Sequence, residues 1–175
     1  MSVAEKPQTR DHACDSPAWP CYHDGVTIYD ELRAVLGALD RASLEYALVG
    51  GLAVAVWGAP RATKDIDLLI QPSDLARALS SLRSCGFALE ALPMEFKDGT
   101  TIQRVSKVDD TGNLMTVDLM LVDHNLAPAW ASRCRLPLAE GDVVVVSRDA
   151  LIAMKALAAR PQDLADIQSL REGDR

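Results

Sequence analysis

The sequence has no surplus of basic residues: 25 acids stand against 18 bases, a formal net charge of -7. Residues 1–132 carry 18 acids and 11 bases and residues 133–175 seven of each, so all the excess acidity lies in the first three quarters. Such a chain repels a phosphate backbone, which speaks against sequence-independent binding to duplex nucleic acid through a basic face. Small molecules, proteins, metal ions or a single nucleic-acid end remain. Long apolar runs are also missing. Tyr46–Gly58 and Ile66–Ile70 are too short or too interrupted to span a bilayer, and no cationic region followed by an apolar one opens the chain, so neither a membrane span nor secretion is expected. The four cysteines, Cys14, Cys21, Cys85 and Cys134, form no Cys-x-x-Cys pair, which argues against a disulfide framework and fits a reducing cytoplasm. Of three histidines only His124 lies beyond the first 24 residues, and nothing near it supports a histidine-based triad. Phosphate-loop, dinucleotide-binding, His-Glu-x-x-His and Gly-x-Ser-x-Gly motifs are absent too.

What is present suits one domain. The 175 residues are 49% apolar and 25% charged, enough for a single well-formed core. Residues 1–24 mix Pro7, Pro17, Pro20, Ser, Asp and His without an apolar period and read as a disordered tail, leaving 25–175 as the domain. His12, Cys14, Cys21 and His23 are zinc-binding types, but lacking the usual spacing they read as incidental. From Val26 apolar residues recur at helical spacing to about Ala42. A strand over Glu45–Val49, a short buried helix over Leu52–Trp57 ending at Gly58, a loop over Pro60–Lys64 and a strand over Asp65–Ile70 follow. Pro72-Ser73-Asp74 opens a helix with a capping hydroxyl, and Cys85-Gly86 closes it. Strand character continues at Thr100–Val105, a turn at Asp109–Asn113, and strands at Thr116–Val122 and Val143–Ser147. Helices over Asp149–Ala159 and Pro161–Leu170 end the pattern, the latter with an apolar stripe of Leu164, Ile167 and Leu170.

Folding least explains Asp65-Ile66-Asp67. In a strand the two acids share one face, about 6.6 to 7 Å apart along the chain, while Ile66 and Leu68 fill the other. A carboxylate on a partly buried face costs several kcal/mol unless a cation or hydrogen bonds satisfy it. Asp118 repeats the oddity within Val117–Leu121. If its strand lies beside that of Asp65 and Asp67, three acids converge and attract a hard divalent cation such as magnesium. Gly50-Gly51, between a strand and a helix, lets the backbone approach a ligand closely, and amides there suit phosphates. The competing structural readings are an edge strand for Asp65 and Asp67, an open sheet face for Asp118, a snorkelling Lys155 and a surface ion pair for Arg61. Asp163 and Asp166 share one helix face and are not read as catalytic. They favour the helix dipole or bind Lys155 or Arg160.

Gly50-Gly51, a thirteen-residue spacer, Asp65-Ile66-Asp67-Leu68 and the later Asp118 together resemble the signature of the polymerase beta-like nucleotidyltransferase superfamily. Arg61-Ala62-Thr63-Lys64-Asp65-Ile66-Asp67 further resembles the Arg-x-Thr-x-Asp-x-Asp segment of a bacterial branch containing abortive-infection (AbiEii-type) toxin nucleotidyltransferases. Leu151–Lys155 and Arg160–Ile167 are similar to that branch's closing helices. Many members carry Gly-Ser where this chain has Gly50-Gly51, so Thr63 or another group would have to replace the serine hydroxyl.

The resemblance implies a single-domain nucleotidyltransferase fold, a mixed β-sheet flanked by helices, and transfer of a nucleoside monophosphate from a nucleoside triphosphate to a hydroxyl. Asp65 and Asp67 would hold one or two magnesium ions, and Asp118 would be a third ligand or the proton acceptor. Gly50 and Gly51 would cradle phosphates, with Lys155, Arg61 and Thr63 nearby. The acceptor would be an RNA 3′ end, a protein or an antibiotic, and an antitoxin protein a possible partner. A chain of this length is expected to hold the core without the large helical domain many relatives use for an acceptor. The alternative is a catalytically silent domain of the same fold that binds a nucleotide or a protein.

Overall fold

The computed structural model describes residues 27–109, 112–138 and 141–172. The sequence reading of 1–24 as a tail, with its candidate zinc ligands, lies outside them. Helix α1 (Ile28–Arg41) starts at a reciprocal cap in which the Thr27 hydroxyl accepts from Asp30 N and the Asp30 carboxylate accepts from Thr27 N. Its buried Leu32, Val35, Leu36 and Leu39 form the inward stripe that the spacing predicts. Strand β1 (Ala47–Val49) runs directly into helix α2 (Gly50–Val56), and Gly58, at φ +91°, turns the chain out of it.

Strand β2 (Asp65–Ile70) coincides with the expected one. A 3₁₀ turn (Pro72–Asp74) leads into α3 (Leu75–Arg83), and no side chain caps either start, so the expected capping hydroxyl of Ser73 is not used. Pro72 and the tight turn already orient this entry, and Asp74 instead accepts from Arg77 Nη1 at 3.0 Å. Beyond α3 the chain forms β3 (Leu89–Glu90), β4 (Met94–Glu95) and β5 (Thr101–Val108), followed by β6 (Leu114–Leu121). Helix α4 (Ala127–Ala131) and strand β7 (Cys134–Leu138) carry no periodic signal in the sequence. β7 contains Pro137, tolerated because this strand lies at the sheet's edge. Strand β8 (Gly141–Val145), helix α5 (Arg148–Ala158) and helix α6 (Pro161–Glu172) complete the chain.

The strands form one mixed sheet in the order β3-β5-β6-β2-β1-β8-β7, with β4 also on β5. β2 runs parallel to β6 and antiparallel to β1, while β1 runs parallel to β8. β2 is therefore central, which removes the edge-strand explanation for Asp65 and Asp67. Ile66, Leu68, Val117 and Leu119 are fully buried on the opposite face, each contributing about 1.5–3 kcal/mol of burial. The remaining face of β6 is covered as well, because Thr116 and Asp118 are 5% and 6% exposed, so Asp118 does not stand on an open sheet.

The stripe expected on α6 is corrected. Ile167 and Leu170 are buried but Leu164 is 58% exposed, and Asp166 turns inward instead. Asp166 accepts hydrogen bonds from three side chains there, and that polar contact rotates the buried face of the helix away from Leu164. No helix among the described residues is long and apolar enough to cross a membrane. Cys85 and Cys134 are free thiols.

Candidate active site

Residues paired directly across neighbouring strands project to the same face. Arg104 pairs with Asp118, Asp118 with Asp67, and Asp67 with Val49, a single row across β5, β6, β2 and β1. Asp65 lies two residues before Asp67, opposite Thr116. The three acids therefore share one face of the central sheet, and Gly50 follows at the end of the row.

The Gly50-Gly51 turn closes over this row. Gly50 adopts φ +66°, and a Cβ built there would lie 1.9 Å from Asp67 Oδ2 and 2.5 Å from its Cγ. Only glycine permits both that backbone and that approach. A Cβ at Gly51 would meet Thr63 Oγ1 at 2.9 Å and Arg61 Nη2 at 3.0 Å. The space that a side chain at position 51 would enter is thus held by the Thr63 hydroxyl and the Arg61 guanidinium.

Arg61 is fixed from behind by Asp166, donating from Nε at 2.7 Å and from Nη2 at 2.9 Å. Lys155 Nζ donates to the same carboxylate at 2.6 Å and to Asp163 at 3.3 Å, and Gln162 Nε2 donates at 2.9 Å. Lys155 is 6% and Asp166 3% exposed, so this is a buried network. Arg61 is accordingly no simple surface pair, and Lys155 does not reach for solvent. Burial pushes the Asp166 acid up, but the hydrogen bonds from Arg61, Lys155 and Gln162 more than offset it and hold it below the usual carboxylate range. A cavity of about 450 Å³ opens beside Arg61 and Asp166. Another, of about 390 Å³, lies between α1 and the β7–β8 hairpin, away from the acids.

The acid row is electrostatically frustrated. Burial, then the charges of Asp118 and Asp65, push Asp67 up to about 6, against the opposing pull of Lys155 and Arg104. Asp118 is bound by Arg104 through a two-pronged ion pair, Nε to Oδ1 at 2.8 Å and Nη2 to Oδ2 at 2.7 Å. That hydrogen bond and the charges of all three acids raise Arg104 further above its already high ordinary range. Among the described residues no three His, Cys, Asp or Glu side chains are gathered as a ready set of metal ligands. Asp118 directs both oxygens at Arg104. The donor chemistry still fits a hard divalent cation: three carboxylates on one face, with Asp67 destabilised as an anion by burial and by its two neighbours.

All eight residues singled out by the sequence lie in or beside this region, Gly50 against Asp67, Gly51 against Arg61 and Thr63, and Lys155 joined to Arg61 through Asp166. One participant escapes the sequence reading. Arg104 falls within an expected strand with no feature to mark it. The antiparallel register of β5 and β6 places it opposite Asp118, so the signal lies in strand pairing. Asp166, for which the sequence left pairing with Lys155 as one alternative, does bind Lys155, and it anchors Arg61 as well, a contact that no spacing announces.

Several solved structures share this fold. A lincosamide antibiotic adenylyltransferase, LnuA, solved with lincomycin bound, superposes with a TM-score of 0.56 at 14% identity, covering 85% of this chain and 98% of that one. The antibiotic-resistance protein ANT(2")-Ia, in complex with adenylyl-2"-tobramycin, gives 0.55 at 17% identity, covering 79% and 84%. A nucleotidyltransferase-like protein from Thermotoga maritima gives 0.55 at 15% identity, covering 82% and 91%. No curated protein sequence matches the chain. A family model described as nucleotidyltransferase of unknown function (DUF6036) matches residues 26–171, and the chain belongs to that family.

Proposed function

We propose that the protein is a magnesium-dependent nucleotidyltransferase that moves a nucleoside monophosphate from a nucleoside triphosphate to a hydroxyl acceptor. The observation that carries this reading is the row Asp118–Asp67 on adjacent parallel strands, with Asp65 beside it and the Gly50 backbone against Asp67. Asp65, Asp67 and Asp118 would hold one or two magnesium ions. Magnesium would supply charge neutralisation on the triphosphate and on the leaving pyrophosphate. The acceptor oxygen forms a bond to the α-phosphorus as the bond to the bridging oxygen breaks and pyrophosphate departs. The hydroxyl proton goes to Asp118 or to water.

Gly50 and Gly51 would offer backbone amides to the β and γ phosphates. Arg61 and Lys155 would add positive charge, held in place by Asp166. Thr63 would supply the hydroxyl that a serine at position 51 supplies in many relatives, since its Oγ1 already occupies that space.

For the acceptor we favour a small polyhydroxylated molecule of the antibiotic type. Two proteins of similar fold hold lincomycin and adenylyl-2"-tobramycin, and a net charge of -7 suits a compact, often cationic acceptor better than long RNA. A role as the toxin of a two-gene module, with an antitoxin partner and an RNA end or protein as acceptor, rests on the Arg61–Asp67 segment and the two closing helices. Labelled triphosphate incubated with an aminoglycoside, tRNA and a cell extract separates these, since only the true acceptor takes up label.

The silent-domain reading has one observation in its favour, the Arg104 guanidinium already paired with Asp118. Calorimetry with ATP, GTP, CTP and UTP, with and without magnesium, decides between them. Magnesium-dependent binding of at least one triphosphate is expected, and its absence for all four sinks the enzyme reading.

A further inference from the structure

We propose that Arg104 is a built-in counter-ion of the acid row, a positioning residue that occupies Asp118 until a divalent cation displaces it. The inference rests on the metal-dependent reading above and adds a second state to it. Arg104 stands directly opposite Asp118 on β5 and spends both prongs of its guanidinium on that carboxylate, at 2.8 and 2.7 Å. Such a pair is planar, charge-assisted and specific, and it consumes the oxygens a cation would need. It also differs from the other cations of the site. Arg61 and Lys155 are tied to Asp166, whereas Arg104 pairs with a member of the acid row itself.

Its surroundings allow it to leave. The Arg104 side chain is 42% exposed, so a released guanidinium returns to water at low desolvation cost, while Asp118 at 9% is deeply set. The stem lies on a hairpin strand paired along its whole length with β6, so only side-chain rotation is required. Without a cation Arg104 neutralises part of the repulsion among Asp65, Asp67 and Asp118. With one, Asp118 turns from guanidinium to metal and completes the ligand set.

Manganese is a suitable probe, because its paramagnetic signal reports binding without turnover. In the full chain without nucleotide, Arg104→Gln should bind manganese about tenfold more tightly than the wild type, equivalent to about 1.4 kcal/mol, since a charge-assisted hydrogen bond no longer competes. Arg104→Lys, with one point charge instead of a fork, should fall between them. Melting in EDTA should be lower for Arg104→Gln than for the wild type, and saturating manganese should close that gap. Manganese affinity equal to or weaker than wild type in Arg104→Gln would overturn the proposal, as would a stability deficit of the same size with and without metal, which marks an arginine that merely packs. If neither wild type nor variant binds manganese, even with ATP present, the metal-dependent reading itself falls, and this inference with it.

Discussion

Asp67→Asn exchanges one carboxylate oxygen for an amide and removes the charge at the centre of the acid row with little change of volume. The ordinary Asp value of 3.8 and the folded value of about 6 differ by roughly 2 pH units, at about 1.4 kcal/mol per unit. Because the folded value is raised, the folded state holds a proton that the unfolded chain releases first. The stability this group contributes is full below about 3.8, falls as pH rises toward 6, and stays low above it. Ionised Asp67 therefore costs the protein about 3 kcal/mol at neutral pH, unless a cation is bound. The amide introduced by Asp67→Asn cannot ionise and escapes this cost.

Urea unfolding in EDTA at pH 4 and pH 8 should show the gap between Asp67→Asn and wild type growing by about 2.4 kcal/mol in favour of the variant, or roughly 5–10 °C in melting temperature for a domain of this size. Magnesium at pH 8 should stabilise the wild type and leave the variant unmoved, while nucleotide transfer by the variant is lost. If the gap does not change with pH, the crowding of charge inferred from the row is wrong. If the variant keeps its rate, Asp67 is not where the metal reading puts it.

Gly50→Ala must relieve a 1.9 Å overlap with the Asp67 carboxylate at a positive φ, so it should abolish transfer in a protein whose circular dichroism remains helical and stranded. Gly51→Ser should displace Thr63 and Arg61 and raise the triphosphate KM about tenfold or more, the size of one charge-assisted hydrogen bond, and Thr63→Ala in the same chain should recover part of that loss. Steady-state kinetics on the four chains measures the coupling, and strict additivity would refute the shared space. Asp166→Asn leaves Arg61 and Lys155 without their common anion and should cost about 3–5 kcal/mol of stability in urea titrations at pH 7. Since the folded Asp166 acid is held low, its contribution is present above about 3.8 and should fade on further acidification, so wild type and variant should converge at low pH.

Local chemistry wrote much of this molecule into its sequence. β2 and α1 follow from an Ile- and Leu-rich run and from apolar residues at helical spacing, both short-range effects, and Gly50-Gly51 and Asp65-Ile66-Asp67 stand out because their residue types work against simple folding. The elements that escape such a reading, α4, β7 and the two-residue strands β3 and β4, are too short or too proline-marked to carry a period of their own. The strands exist because neighbouring strands offer them hydrogen bonds, and the entry to α4 is held by the Asp123 carboxylate, which accepts from Asn125 N and Leu126 N. Which acids meet, and what meets them, was decided only by tertiary structure. Parallel pairing of β2 with β6, two strands roughly fifty residues apart in the chain, sets Asp67 beside Asp118, and the β5–β6 register delivers Arg104 to the same carboxylate. The inward turn of α6 brings Asp166 to Arg61 across 105 residues of sequence. Composition and spacing announce a charge that folding alone does not require. The partner that balances that charge depends on through-space distance in a low-dielectric interior, and no local pattern encodes it.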